Sequence, residues 1–315
     1  METPRIHIGV SQCLLGDEVR FDGGHKRDGY ITGMLGTVFC LVPVCPEVEA
    51  GFGIPRESMR LEGDPATPRL ISHRTRRDLT RPLVETCESI VARLAGADLH
   101  GFVLKGNSPS CGMEKVRVQR DAGLPDGKGI GLFARRLRTA MPLLPVTEEG
   151  RLGDAALREN FITRIFVHHR WQTLLQEPSA RELVAFHSRH KFLLMAHSPV
   201  HMRRMGQLIG NMTKDNLPPW EAYGALLMEA MGRLATPGKH VDAILHMMGF
   251  LKKHLTNDEK AEMLELLTAY KKGDLPRLVP ITLLNHHVRQ FDLPYLAEQW
   301  YLQPHPLELR LCNHA

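Results

Sequence analysis

Along the first half of the chain, short apolar runs alternate with stretches of helical spacing. Residues 6–11, 37–44 and 99–104 are mostly apolar, rich in β-branched or aromatic side chains, and bounded by Ser, Pro or Gly, which is the pattern of strands. Residues 78–95 repeat apolar positions at helical spacing, with Leu79, Leu83, Cys87, Ile90, Val91 and Leu94 on one face. Residues 129–137 and 143–146 read as further strands. This alternation predicts an α/β domain: a mostly parallel sheet with flanking helices, whose ligands sit beyond the C-terminal strand ends. After Glu148-Glu149-Gly150 the strand pattern stops. Residues 154–176, 180–196, 200–211, 218–234, 240–254 and 257–271 each show 3.6-residue spacing. Asp154, Ser179 and Asn257 are their expected N-caps, and Pro-Pro and Pro-Gly breaks separate some of them. The expected organisation is an α/β domain over 1–150 and an all-α domain over 151–315.

A chain of 315 residues can bury two such cores. Its apolar runs are too short to cross a bilayer. Residues 1–10 carry Glu2, Arg5 and His7 and lack a signal-type apolar core. The expectation is a soluble, unexported, cytoplasmic protein with no membrane partner. Six cysteines (13, 40, 45, 87, 111 and 312) would there be reduced, so a spaced set of them reads as a metal or catalytic site rather than a disulfide frame. Charge is shared unevenly: 20 Lys and Arg against 19 Asp and Glu in 1–150, and 20 against 16 in 151–315. The basic excess of the C-terminal half points toward an anionic partner, although a solvated helical surface would show the same numbers.

Cys13, Cys45 and Cys111 each lie shortly after one of the expected strands, where an α/β site belongs. Their wide intervals exclude the compact ligand runs of ferredoxins and the paired knuckles of zinc fingers. No C-x-x-C occurs, which argues against a thioredoxin-type dithiol. Three thiolates gathered from three loops would suit a 4Fe-4S cluster with one iron open to substrate, and would also suit a catalytic zinc. Cys87, on an apolar helix face, and Cys40, inside a strand, are expected to pack in the core. Cys312 lies near the terminus and is not expected to be a ligand.

The segments Ser11-Gln12-Cys13-Leu14-Leu15-Gly16, Val19-Arg20-Phe21-Asp22-Gly23, His25-Lys26, Cys45-Pro46-Glu47 and Ser108-Pro109-Ser110-Cys111-Gly112 resemble the thiouracil desulfidase family. Residues 151–315, with His190-Lys191-Phe192-Leu193-Leu194-Met195-Ala196-His197, resemble the helical domain often fused to it. The fused form is similar to tRNA 4-thiouridine desulfidases. The resemblance implies a 4Fe-4S cluster on Cys13, Cys45 and Cys111 and hydrolytic release of sulfide without net redox change. It also implies catalytic roles for Glu47 and for a serine of the 108–110 segment. Ser108, three residues before the ligand, is the expected one, with Ser110 assigned to substrate binding.

The chemistry agrees with these residue types. A thiocarbonyl carbon is a poor electrophile until a soft Lewis acid holds its sulfur, and soft sulfur pairs with soft metal sites. Glu47 could then move a proton to or from water or the base. Arg20, His25, Lys26 and Lys105 are candidates for the uracil oxygen, ribose or phosphate. Gly129-x-Gly131 is too little to mark a nucleotide cradle. In the helical half, Arg189-His190-Lys191, Arg203-Arg204, Lys252-Lys253 and Lys271-Lys272 are candidate phosphate contacts, which would make tRNA the partner. Competing readings are a desulfidase for free thiouracil or thiouridine with a structural helical domain, a three-cysteine-cluster hydro-lyase, and a non-enzymatic RNA-binding module.

Overall fold

A computed structural model describes residues 6–120, 126–213, 220–306, 309 and 311. The chain forms two compact units, Met1–Asp154 and Ala155–Ala315. The first unit runs β1 (His7–Ser11), a 3-10 turn (Gln12–Leu14), a π-helical turn (Ile31–Leu35) continuing into α1 (Gly36–Val38), β2 (Cys40–Val44) and α2 (Pro46–Glu49). Then come β3 (Met59–Glu62), β4 (Arg69–Ser72), α3 (Thr80–Ala95), β5 (Leu99–Leu104), β6 (Val116–Gln119), β7 (Gly127–Gly129), α4 (Leu132–Ala140) and β8 (Val146–Glu148).

The expected α/β class holds. Four strands pair in the order β2-β1-β5-β8, all parallel. Every residue of β5 is buried, as a central parallel strand covered on both faces requires. Leu83, Cys87, Ile90, Val91 and Leu94 of α3 are buried on its apolar stripe. Gly9 in β1 lies against the ring of Phe102, so any Cβ there would collide with it. Phe102 in turn meets Phe133 of α4 edge to face at 5.5 Å.

The structure corrects several local expectations. The strand expected from 37 begins only at Cys40, because the residues before it are helical. Cys40 is half-buried on an edge strand, not a core residue. The strand expected over 129–137 is instead the end of β7 followed by α4. Buried Leu132, Phe133, Ala134 and Leu137 share one helical face while Arg136 and Arg138 face out, and so short an apolar run does not betray its period. The strand expected at 143–146 begins at Val146. A second sheet, β4-β3-β6-β7, was not foreseen; its strands are three or four residues long and weakly patterned.

The second unit is helical: α5 (Ala155–Gln176), α6 (Ala180–His197), α7 (Pro199–Gly210), α8 (Trp220–Met231), α9 (Pro237–Leu251), α10 (Asn257–Lys272), α11 (Leu278–Gln290) and α12 (Pro294–Ala297). Ser179 caps α6 by accepting from the Glu182 amide. For α10 the cap is Thr256 rather than Asn257, in a capping box with Glu259. The last two helices lie beyond the expected set. Residues 192–197 of α6 are all buried, so the His190–His197 segment belongs to the core. Met195, Met205, Met228, Met231 and Met247 are likewise buried. Buried Arg277 pairs with Glu159 and meets His240 Nε2 at 2.5 Å, and His240 Nδ1 lies 3.0 Å from the Tyr301 hydroxyl. This network ties α5 and α9 to the segment entering α11. Among the described residues no helix is long and apolar enough to cross a membrane. Cys312 lies outside the described residues.

Candidate functional site

Three connections at the C-terminal ends of β1, β2 and β5 meet around one cavity of about 390 Å³. Cys13 sits in the 3-10 turn that closes β1, and its carbonyl accepts from the Lys26 amide at 2.8 Å. Cys45 is the extended residue at which β2 turns into α2, and Pro46 at the first helical position fixes that turn. Cys111 is buried in the loop after β5. All three line the cavity. Burial pushes the Cys13 thiol up to about 11; the charge of Cys45 adds to this, while Arg20 and Lys105 oppose it. Burial also raises Cys45 and Cys111, and Glu47 and the other two thiols raise Cys111 further, against a hydrogen bond from Ser11. These sulfurs feel one another's charge although they lie 32 and 66 residues apart in sequence.

The loop carrying Cys111 is locked from two sides. Its Pro109 and Ser110 carbonyls accept from the Leu132, Phe133 and Ala134 amides, the otherwise unpaired donors at the start of α4. The chain enters that helix at Gly131, which packs on the Ser110 carbonyl too closely for any Cβ. Of the Gly129-x-Gly131 pair, Gly131 thus serves packing of the site loop, whereas Gly129 packs against Val118 of the neighbouring strand.

Glu47 reaches the cavity from α2 and is held at both oxygens. Oε2 accepts from Arg56 through Nε at 3.0 Å and through Nη2. Oε1 accepts from Ser110 Oγ at 2.5 Å. Ser108 Oγ lies 2.9 Å from Ser110 Oγ and accepts from the amides of Ser110 (3.3 Å) and Cys111 (3.1 Å). With its lone pairs committed to those amides, Ser108 must donate its own proton to Ser110, whose proton goes to Glu47. The chain of hydroxyls therefore points at the carboxylate. Ser110 is buried and Ser108 half-buried, so Ser108 is the more accessible end.

The candidate substrate contacts divide. Arg20, Lys26 and Lys105 line the cavity, and His25 does not; His25 is an exposed loop residue whose Nδ1 accepts from the Arg27 amide. Lys105 Nζ is engaged by Glu149 and by the Gly106 carbonyl, so its charge is already answered. Arg56 escapes a reading of the sequence, because nothing in its spacing ties it to Glu47. Phe21 escapes it as a binding residue too; it lines the cavity 40% exposed, with Arg20 Cζ 5.5 Å from its ring centre. Among the described residues, no three His, Cys, Asp or Glu side chains converge as the ligands of a single metal ion do.

In the helical unit, Arg189, Arg203, Arg204, Lys252 and Lys253 are exposed and Lys191 is half-buried. Arg189 pairs with Glu298 at 3.0 Å. His190 leaves its cluster: it is buried, bonds the Phe186 carbonyl, and desolvation lowers its pKa to about 3.

Residues 8–149 match a family model described as 2-thiouracil desulfurase, and residues 191–306 match one described as a protein of unknown function, DUF1722. The chain is 24% identical over 156 residues to the uncharacterized protein YbgA of Escherichia coli K12, covering 49% of this chain and 92% of YbgA. It is 30% identical over 111 residues to the uncharacterized protein YbbK of Bacillus subtilis 168, covering 33% and 72%. A solved structure of the 4Fe-4S-dependent thiouracil desulfidase TudS matches 49% of this chain and 98% of its own, at 28% identity and a TM-score of 0.40.

Proposed function

This chain belongs to the 2-thiouracil desulfurase family, and on that premise we propose that it hydrolyses the carbon–sulfur bond of 4-thiouridine in tRNA. One water enters, uridine and hydrogen sulfide leave, and no electrons are gained or lost. The observation that carries this reading is the meeting of three cysteines and the Ser108–Ser110–Glu47 chain at a single cavity. Three soft thiols on three loops fit a 4Fe-4S cluster, which takes one thiolate at each of three irons and so does not need its ligands to converge on one point. Held by Cys13, Cys45 and Cys111, it would supply an open, soft Lewis acid for the thiocarbonyl sulfur.

The protein's own groups handle water, protons and the base. Arg56 takes both lone-pair directions of Glu47 Oε2, but Oε1 keeps one beyond that used by Ser110, so the carboxylate can accept a proton from the attacking water there without losing its position. Ser108, anchored on the Ser110 and Cys111 amides, donates to Ser110, which donates to Glu47, so the two hydroxyls orient the carboxylate for that step. Phe21 offers the one aromatic ring lining the cavity among the described residues, a platform for the flat uracil. Phe21→Ala should raise KM for free 4-thiouridine about 5- to 150-fold, the equivalent of one base–aromatic stack of about 1–3 kcal/mol, and Phe21→Tyr should restore it. An unchanged KM would remove the ring from binding.

The test of the function is turnover by anaerobically prepared protein, with sulfide measured from thiolated tRNA, 4-thiouridine and 2-thiouracil, together with uridine from the first two and uracil from the last. Sulfide from none of the three would sink the reading. For the helical unit, Arg203, Arg204, Lys252 and Lys253 are the proposed phosphate contacts. Neutralising Arg203 and Arg204 should weaken thiolated and plain tRNA equally, since phosphates position the ligand and carry no base information. The slope of log affinity against log salt should become shallower by about 0.7–0.9 for each phosphate left without its cation. An unaltered slope would make that unit structural.

A further inference from the structure

We propose that the desulfidase unit carries its own RNA-backbone groove, formed by Lys115, Lys128, Arg135 and Arg138 on the far side of the Cys111 loop. The proposal rests on the reading that the thiolated base is presented on a polynucleotide. The four cations border one open depression. Lys115 immediately precedes β6, Lys128 lies on β7, and Arg135 and Arg138 stand three residues apart on one face of α4.

Two observations separate this groove from an ordinary solvated surface. Residues 1–150 are nearly neutral, with 20 basic and 19 acidic residues, and many of their arginines are matched locally. Arg117 pairs with Asp126, Arg136 with Glu88, and Arg93 with Glu49. Among the described residues no carboxylate pairs with Lys115, Lys128, Arg135 or Arg138, and Arg135 holds only the Pro65 and Ala66 carbonyls. The one acid at the groove, Glu114, is the residue already engaged by Arg151. The second observation is the register of the β6–β7 hairpin, which sets Lys128 directly opposite Arg117. Like charges directly opposite weaken a hairpin, and Asp126 answers Arg117 rather than Lys128, so stability does not explain the lysine there. A lysine guarding the edge of β7 would need none of the other three cations.

Position supplies the partner. Ser108 to Cys111 line the catalytic cavity, and Met113 to Lys115 line the groove. Four residues of chain span at most about 14 Å. A nucleic-acid strand carries one charge per nucleotide, so a base seated in the cavity brings its nearest neighbouring phosphates within that reach. Glu148 fixes the shared loop by accepting from the Met113 (2.7 Å) and Glu114 (3.2 Å) amides, so groove and cavity keep a constant offset. A free nucleoside would use only the cavity, and a strand would use both.

The experiment uses the full chain with its cluster in place and the double variant Lys128→Gln with Arg138→Gln, two exposed residues outside the hydrogen bonds that hold the site loop. An unmodified tRNA transcript is the binding probe across a salt series, and turnover of free 4-thiouridine is the control for an intact site. The expected result is a roughly tenfold or greater loss of tRNA affinity near 0.1 M salt and a log–log slope shallower by about 1.4–1.8. Nucleoside turnover should stay at the parental rate. Parental affinity and slope in the variant overturn the groove, and so does loss of nucleoside turnover alongside tRNA binding, which would mark the pair as structural. A parent chain that binds no tRNA sinks the underlying reading instead, which keeps the two failures apart.

Discussion

Replacing Cys13, Cys45 or Cys111 with serine, one at a time, should bleach anaerobically prepared protein and end sulfide release. The three thiols come from three connections of the parallel sheet, and losing any one leaves a corner of the cluster unheld. A Lewis acid on the leaving sulfur is worth several kcal/mol of barrier, so the expected fall in kcat is about a thousandfold or more. Cys87→Ala should keep both colour and rate, because Cys87 packs on the buried face of α3 with its thiol pushed up to about 12 by desolvation. The measurements are visible absorbance, iron and labile sulfide per chain, and sulfide release. A colourless parent holding one zinc per chain would refute the cluster.

Changing Glu47 should separate chemistry from cluster assembly. Glu47→Gln keeps the shape of the side chain and removes the proton acceptor, so iron content should stay at the parental level. A positioned general base contributes about 10²–10⁴-fold, and kcat should fall by that factor. The glutamine variant is the informative one. Glu47→Ala would leave Arg56, only 5% exposed, without its partner, and an unpaired buried charge costs about 3–5 kcal/mol. Ser110→Ala should give a smaller loss, since it removes the hydrogen bond that positions Oε1 while leaving the carboxylate. Full activity in Glu47→Gln would remove the residue from the mechanism, and loss of iron would make it a prop for the site.

Legibility tracked the length and period of each pattern. The run at 99–104 fell on β5 residue for residue, because a central parallel strand must be apolar throughout. The helix at 78–95 was equally plain, since its buried positions repeat over four turns. By contrast, α4 buries only four residues of its nine, and a segment that short reads as strand or helix alike. The second sheet escaped notice because strands of three or four residues carry too few alternations to register.

By itself the sequence determined the α/β and all-α classes, the family resemblance, and which residues belong on the connections that build the cavity. Those features depend on local periodicity and on motifs a few residues long. Tertiary structure alone decided the electrical partners. It set Arg56 on Glu47, placed Ser110 between Glu47 and Ser108, occupied Lys105 with Glu149, and left His25 outside the cavity. It also gathered four cations into one groove of a unit whose summed charge gave no hint of them. Coulomb energy depends on distance in space and on exposure to water, and neither quantity is written in the order of residues along the chain.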